Sequence, residues 1–212
     1  MNYYQEITLL PDAEIPLGFI WQNVFQQVHI ALVENKVGPH QSEIAVGFPE
    51  YGQNGFPLGS KLRLFAKNQA QLEKLNINKW LTRLEDYSHV KAIKSVPKEA
   101  TWVSFSRQHI KSPERIEREM QKKAELWSAK SGKSLEECLL ALEKSKPDIH
   151  SKLPFIYLHS QQTKARKPDK NSKFPMFIKK QEVDTLYQGL FDCYGLNSKR
   201  NKDNDIGCVP HF

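Results

Sequence analysis

The hydrophobic positions change period several times along the first hundred residues. Over 3–10 the chain is rich in β-branched, aromatic and aliphatic residues, which predicts a strand. Pro11, Asp12, Glu14 and Pro16 punctuate the chain before a helix. Over 17–33 the apolar residues fall at Leu17, Ile20, Trp21, Val24, Phe25, Val28, Ala31 and Leu32. That is helical spacing with one wide apolar stripe, and Gly38-Pro39 ends it. Residues 43–48 and 61–65 alternate polar and apolar side chains, with Tyr51-Gly52-Gln53-Asn54-Gly55 between them. They predict a hairpin whose loop is longer than a two-residue turn. Residues 68–84 read as a second helix or two short ones, and 90–96 as a fourth strand. The order βαββαβ is the ferredoxin-like arrangement, two helices on one face of an antiparallel sheet.

The second half is less regular. Residues 102–105 read as a strand. Ser112-Pro113-Glu114 opens a helix to about 129, with Ser as N-cap, Pro at the first helical position and an acid near the positive end. Ser134-Leu135-Glu136-Glu137 is a capping box that opens another helix to about 144. Residues 153–158, 174–178 and 186–194 are strand-like, and 161–172 is a polar, basic loop. The expected fold class is α+β. A ferredoxin-like domain over 1–97 is followed by a basic α+β domain over 98–212 that carries an Arg/Lys-bearing helix.

Charge sharpens this division. The chain has 212 residues and a net charge of +7. Residues 1–100 hold ten bases and ten acids, so the whole excess lies in 101–212. A neutral scaffold joined to a basic part suggests a polyanionic partner; a surface charged only for solubility is the plain alternative. No apolar run reaches the roughly 18 residues that would span a bilayer. The start, Met1-Asn2-Tyr3-Tyr4-Gln5-Glu6, has no basic or apolar leader region, so secretion is not expected. Cys138, Cys193 and Cys208 are an odd number without metal spacing, which argues for a reducing cytoplasm over a disulfide scaffold or zinc module.

Several chemistries fall away. Gly132-Lys133-Ser134 lacks the earlier glycine of a phosphate-binding loop, because Trp127 stands there. There is no H-E-x-x-H, no paired C-x-x-C and no G-x-S-x-G. Metal-free acid–base or nucleophilic chemistry is the expectation for any catalysis. On the 113–129 helix, Arg115, Arg118 and Lys122 lie within about 60° of one another, with Ile116, Met120 and Trp127 about 140° away. Pairs such as Glu114–Arg118 and Glu119–Lys123 would make this merely a solvated face. A second basic segment, 159–180, holds seven bases and one acid, and two such segments favour a nucleic-acid backbone. His29 sits about 100° from the centre of its helix's apolar stripe, on the flank.

The segment Phe25-Gln26-Gln27-Val28-His29-Ile30-Ala31-Leu32-Val33 resembles the histidine-bearing helix of the CRISPR repeat-processing endoribonucleases of the type I-F (Csy) subtype. Ile44-Ala45-Val46-Gly47-Phe48-Pro49 is similar to their second strand. Ser106-Arg107 and Ser112-Pro113-Glu114-Arg115-Ile116 are similar to their linker and arginine-rich helix. Leu153-Pro154-Phe155-Ile156-Tyr157-Leu158-His159-Ser160-Gln161 resembles their serine segment. Cys193-Tyr194-Gly195-Leu196 and Val209-Pro210-His211-Phe212 resemble their C-terminus. The set runs end to end in the family's order.

The resemblance implies a metal-independent enzyme that cuts precursor CRISPR RNA at the base of the repeat stem-loop. The 2′-hydroxyl at the cut attacks the adjacent phosphate, leaving a 2′,3′-cyclic phosphate and a 5′-hydroxyl. No cofactor is implied. The enzyme then stays on the hairpin as a subunit of the type I-F interference (Cascade) complex; a non-catalytic hairpin-binding subunit of that complex is the alternative. By position, His29 falls on the catalytic histidine, Ser160 on the serine that positions the ribose, and Tyr194 on a tyrosine that orients the histidine. Phe174 falls on the aromatic that stacks under the last base pair, and Arg107 on an arginine that reads the lower stem. His109 stands where the family often has glutamine. Glu117 and Glu119 dilute the helix, leaving Arg115, Arg118, Lys122 and Lys123, with Lys111 just before it, for phosphate contacts. The basic loop 164–173 is longer than the family suggests, and would supply charge or meet a neighbouring subunit.

Overall fold

The computed structural model describes residues 1–53, 55–110, 113–144, 152–160, 165–166, 172–184, 189–198 and 206–212. They form two compact units: Met1–Gln108 with Pro154–Phe212, and His109–Leu153. The fold is mixed α+β with two antiparallel sheets.

In the larger unit, strand β1 (Tyr3–Leu9) leads to helix α1 (Leu17–Glu34). The turn between them is tied by Asp12, whose Oδ1 accepts the amides of Glu14 and Ile15. Ile20, Trp21, Val24, Phe25, Val28, Ala31 and Leu32 are buried along α1, and burying such a stripe is what stabilises a helix of this length. Strands β2 (Ala45–Gly47) and β3 (Lys61–Ala66) form the long-looped hairpin. The 68–84 segment divides into α2 (Gln69–Leu75), α3 (Ile77–Leu81) and a 3₁₀ turn, because Asn76 takes φ +46 and ends α2. The segment expected as one strand over 90–96 is two short pieces, β4 (Ser88–Val90) and β5 (Lys94–Ser95), both paired with β1. Between them the carbonyl of Lys91 goes to the Gln5 side chain, and its ammonium joins Arg63 on the buried Glu6 carboxylate. The first sheet has the order β2-β3-β1-β4, with β5 also on β1.

The second sheet is built from β6 (Thr101–Gln108), β7 (Phe155–His159), β8 (Lys173–Glu182) and β9 (Val209–His211). Their order is β7-β8-β6-β9. β9 is an edge strand, which is why it tolerates Pro210, a residue with no amide to donate. The expected strand over 186–194 does not form among its described residues. Phe191 makes only isolated bridges, and a turn follows at once. One hydrophobic core runs from Ile7 and Leu62 through the α1 stripe to Ile156, Met176, Ile178 and Val209, so both sheets and α1 share it.

The smaller unit holds α4 (Pro113–Ser131) and α5 (Leu135–Lys144), packed together with Ile116, Ala124 and Cys138 buried. Ser134 and Glu137 exchange capping-box hydrogen bonds at the start of α5, at 3.1 and 3.2 Å. No helix among the described residues is long and apolar enough to cross a membrane.

Candidate active site

Gln22, Gln26 and His29 fall at helical spacing on one flank of α1, which packs along the edge strand β7. An edge strand leaves every second amide unpaired. Gln26, 9% exposed, takes one of them: its Oε1 accepts the His159 amide at 2.9 Å. Its Nε2 finds no partner among the described residues. The His159 ring lies between Gln22 (Nε2 to Nε2, 3.5 Å) and the Ser172 hydroxyl (Nδ1 to Oγ, 3.3 Å). This brace ties the histidine helix to the β7–β8 hairpin.

One turn along α1, the His29 ring stacks on Tyr194, with centroids 4.1 Å apart and planes 10° apart. Its Nδ1 lies 2.8 Å from the Cys193 carbonyl oxygen. A carbonyl can only accept, so Nδ1 carries the hydrogen and the neutral ring keeps its lone pair on Nε2. Burial holds His29 below the usual histidine value, and the Arg107 charge works the same way; the hydrogen bond to Cys193 opposes them. The ring is therefore mostly neutral at pH 7, with one nitrogen free to take a proton.

The segment presenting Cys193 and Tyr194 is a turn built by Asp192. Its Oδ1 accepts the amides of Tyr194 (2.8 Å) and Leu196 (3.1 Å). Burial pushes the Asp192 carboxyl up to about 6, against those amides and Arg107. Gly195 closes the turn at φ +72 and gives its carbonyl to the Val46 amide at 2.8 Å. A Cβ there would lie 2.5 Å from Val46 Cγ2 and 2.9 Å from the Val46 amide nitrogen, so only glycine fits.

Arg107 extends the cluster. Its guanidinium carbon lies 5.1 Å from the Phe174 ring centroid and 5.4 Å from that of Tyr194. Cross-strand partners share a face, so the pairs Arg107–Ile178 and Leu158–Phe174 put Arg107 and Phe174 on the core-facing side of the second sheet. Ser160 extends β7 by one residue, its amide donating to the Ser172 carbonyl at 2.9 Å. Strand alternation gives Ser160 the same face as Leu158 and Phe174. His29 thus stacks on Tyr194, and the Arg107 guanidinium bridges Tyr194 and Phe174, with Ser160 at the same end of the hairpin.

The other expected RNA-binding residues lie in the smaller unit. His109 is exposed, as are Arg115, Arg118, Lys122 and Lys123 on α4. Arg115 pairs with Glu119 at 3.0 Å, and Arg118 donates to the Glu114 carbonyl at 3.2 Å. Lys111 and most of the 164–173 loop lie outside the described residues. Sequence reasoning gave no part to Gln22, Gln26, His159 or Asp192. The Gln22, Gln26, His29 spacing was the available signal for the first two. Among the described residues, no three His, Cys, Asp or Glu side chains are grouped to hold a metal ion.

Residues 4–212 match the family described as CRISPR-associated protein (Cas_Csy4). A Pseudomonas aeruginosa (strain UCBPP-PA14) protein named CRISPR-associated endonuclease Cas6/Csy4 is 30% identical over 215 residues, covering 100% of both chains. A protein of the same name from Escherichia coli (strain UTI89 / UPEC) is 28% identical over 200 residues, 93% of this chain and 96% of that one. A solved structure described as an RAMP protein binding different RNA substrates covers 99% of this chain at 10% identity and a TM-score of 0.36.

Proposed function

Because the chain belongs to the Cas_Csy4 family of CRISPR-associated proteins, we propose that it is the endoribonuclease that processes precursor CRISPR RNA. It cuts at the base of the repeat stem-loop without a metal, leaving a 2′,3′-cyclic phosphate and a 5′-hydroxyl. It then remains on the hairpin as a subunit of a type I-F interference complex in the cytoplasm. The observation that carries this reading is the His29 ring, neutral, stacked on Tyr194 and locked by the Cys193 carbonyl with Nε2 left as acceptor.

On this proposal His29 Nε2 removes the proton of the 2′-hydroxyl, a contribution of about 10²–10⁴-fold. Ser160 positions that ribose, and Tyr194 fixes the imidazole plane. Phe174 stacks beneath the closing base pair, worth about 1–3 kcal/mol. Arg107, held against two rings, presents its guanidinium to the lower stem. His109, Lys111, Arg115, Arg118, Lys122 and Lys123 grip the RNA. The order β2-β3-β1-β4, with α1 and the α2–α3 pair between strands, supports a ferredoxin-like reading of residues 1–97 as the histidine-bearing part. Residues 98–212 are then the hairpin-gripping part.

The test is cleavage of end-labelled repeat RNA in EDTA by wild type and His29→Ala. Cleavage by wild type alone, with a cyclic-phosphate end and unchanged hairpin binding by the variant, is expected. Normal cleavage by His29→Ala removes His29 from the chemistry, and binding without cleavage by either protein overturns the enzymatic reading.

A further inference from the structure

The second sheet has an outer face that the candidate site does not use. On β7 and β8 the residues opposite Ile156, Leu158, Met176 and Ile178 point away from the core. Among them are Phe155, Tyr157 and Phe177, where an antiparallel sheet facing water ordinarily carries polar side chains. Phe155 and Tyr157 are 40% and 41% exposed. Their rings meet edge to face, centroids 5.2 Å apart at 81°, and Phe177 lies 5.3 Å from Phe155. Lys173 sets its ammonium 4.5 Å from the Tyr157 centroid.

Charge narrows the partner. Lys173 and Lys179 stand at outward positions of β8, and no outward position of β6, β7 or β8 is Asp or Glu. Exposed aromatics on an antiparallel sheet, interleaved with lysines, offer π-faces to unstacked bases and cations to phosphates. The face also begins beside the site. Lys173 precedes Phe174 and pairs with His159, the neighbour of Ser160.

We propose that this face binds single-stranded RNA flanking the repeat hairpin. Tyr157, Phe155 and Phe177 stack bases, and Lys173 and Lys179 neutralise phosphates. The inference rests on the repeat-RNA reading above, and its test separates the two. The full-length protein is titrated with the bare repeat hairpin and with the hairpin carrying its single-stranded flanks, both with a 2′-deoxy nucleotide at the cut to block cleavage.

Wild type is expected to bind the flanked RNA roughly tenfold or more tightly than the bare hairpin, the effect of about one stacked base. Tyr157→Ser with Lys179→Gln is expected to abolish that preference while leaving bare-hairpin affinity unchanged, which also reports that the variant is folded. Tyr157→Phe, which keeps the ring, restores the preference. In wild type, 5-iodouracil in the flank is expected to crosslink to Phe155, Tyr157 or Phe177. No preference in wild type, a preference that survives the double variant, or crosslinks confined to other residues overturns the proposal. If wild type fails to bind even the bare hairpin, the repeat-RNA reading falls with it.

Discussion

Arg107 shows how much one side chain controls at this site. It lies against Phe174 and Tyr194, and its charge helps hold His29 below the ordinary histidine range, after burial. A base must be neutral to act, so on the role proposed for His29 its lowered value extends cleavage to more acidic pH. Arg107→Gln removes the cation and raises the His29 value. The acid limb of the single-turnover rate profile, followed between about pH 5 and 8, then moves to higher pH. Arg107→Lys keeps the charge and leaves the limb in place, but cleaves more slowly because an ammonium cannot lie flat against two rings. An unmoved limb in Arg107→Gln would mean that the charge does not reach the imidazole. Gln26 is one of the residues that sequence reading passed over. A glutamine beside an apolar stripe looks like helix flank, and only the edge of β7 reveals the amide that it satisfies.

At the scale of elements, the 192–196 turn carries the strongest constraint. Gly195→Ala adds a methyl where Val46 already sits and asks alanine for φ +72. The expected loss is about 1–3 kcal/mol, read as a lower Tm. Cleavage falls further than stability alone explains, because the Cys193 carbonyl and the Tyr194 ring shift with the turn. Val46→Ala in the same protein should recover part of both; no recovery would place the strain elsewhere. On α4, Glu119 already engages Arg115. Arg115→Ala with Arg118→Ala is expected to flatten the salt dependence of repeat binding by up to about 0.9 in slope for each phosphate that is no longer neutralised, taking the duplex value. A slope equal to wild type moves the grip off this helix. Local pattern made most of these elements legible: α1, β1, β3 and the capped α5 follow from periodicity and end signals. It misled at 186–194, where an apolar run is turned by the Asp192 side chain, and was silent on β9, three residues around a proline that become a strand only by pairing with β6.

At the scale of the molecule, the two compact units differ in what holds them. The larger shares one core across two sheets and α1. In the smaller, α4 and α5 bury Ile116, Ala124 and Cys138 while Leu126 and Leu140 stay exposed. Small cores open locally at low free energy. In hydrogen exchange on the intact chain, amides of α4 and α5 are expected to exchange well before those of α1, β3 and β6; equal protection would show that the units open together. The candidate site belongs entirely to the larger unit, and composition could not reveal it. Net charge pointed to the basic half, whereas the imidazole depends on a carbonyl 164 residues further along the chain.

That separation also sets a clock. Ribosomes add about 5–20 residues per second. The helix bearing His29 is therefore made roughly 8–30 s before the turn that fixes its tautomer. A nascent or prematurely terminated chain carries the histidine without its carbonyl or its stacking ring. On the proposed mechanism, competence arrives only after the tyrosine turn is made, and an unfinished copy is expected to be inert.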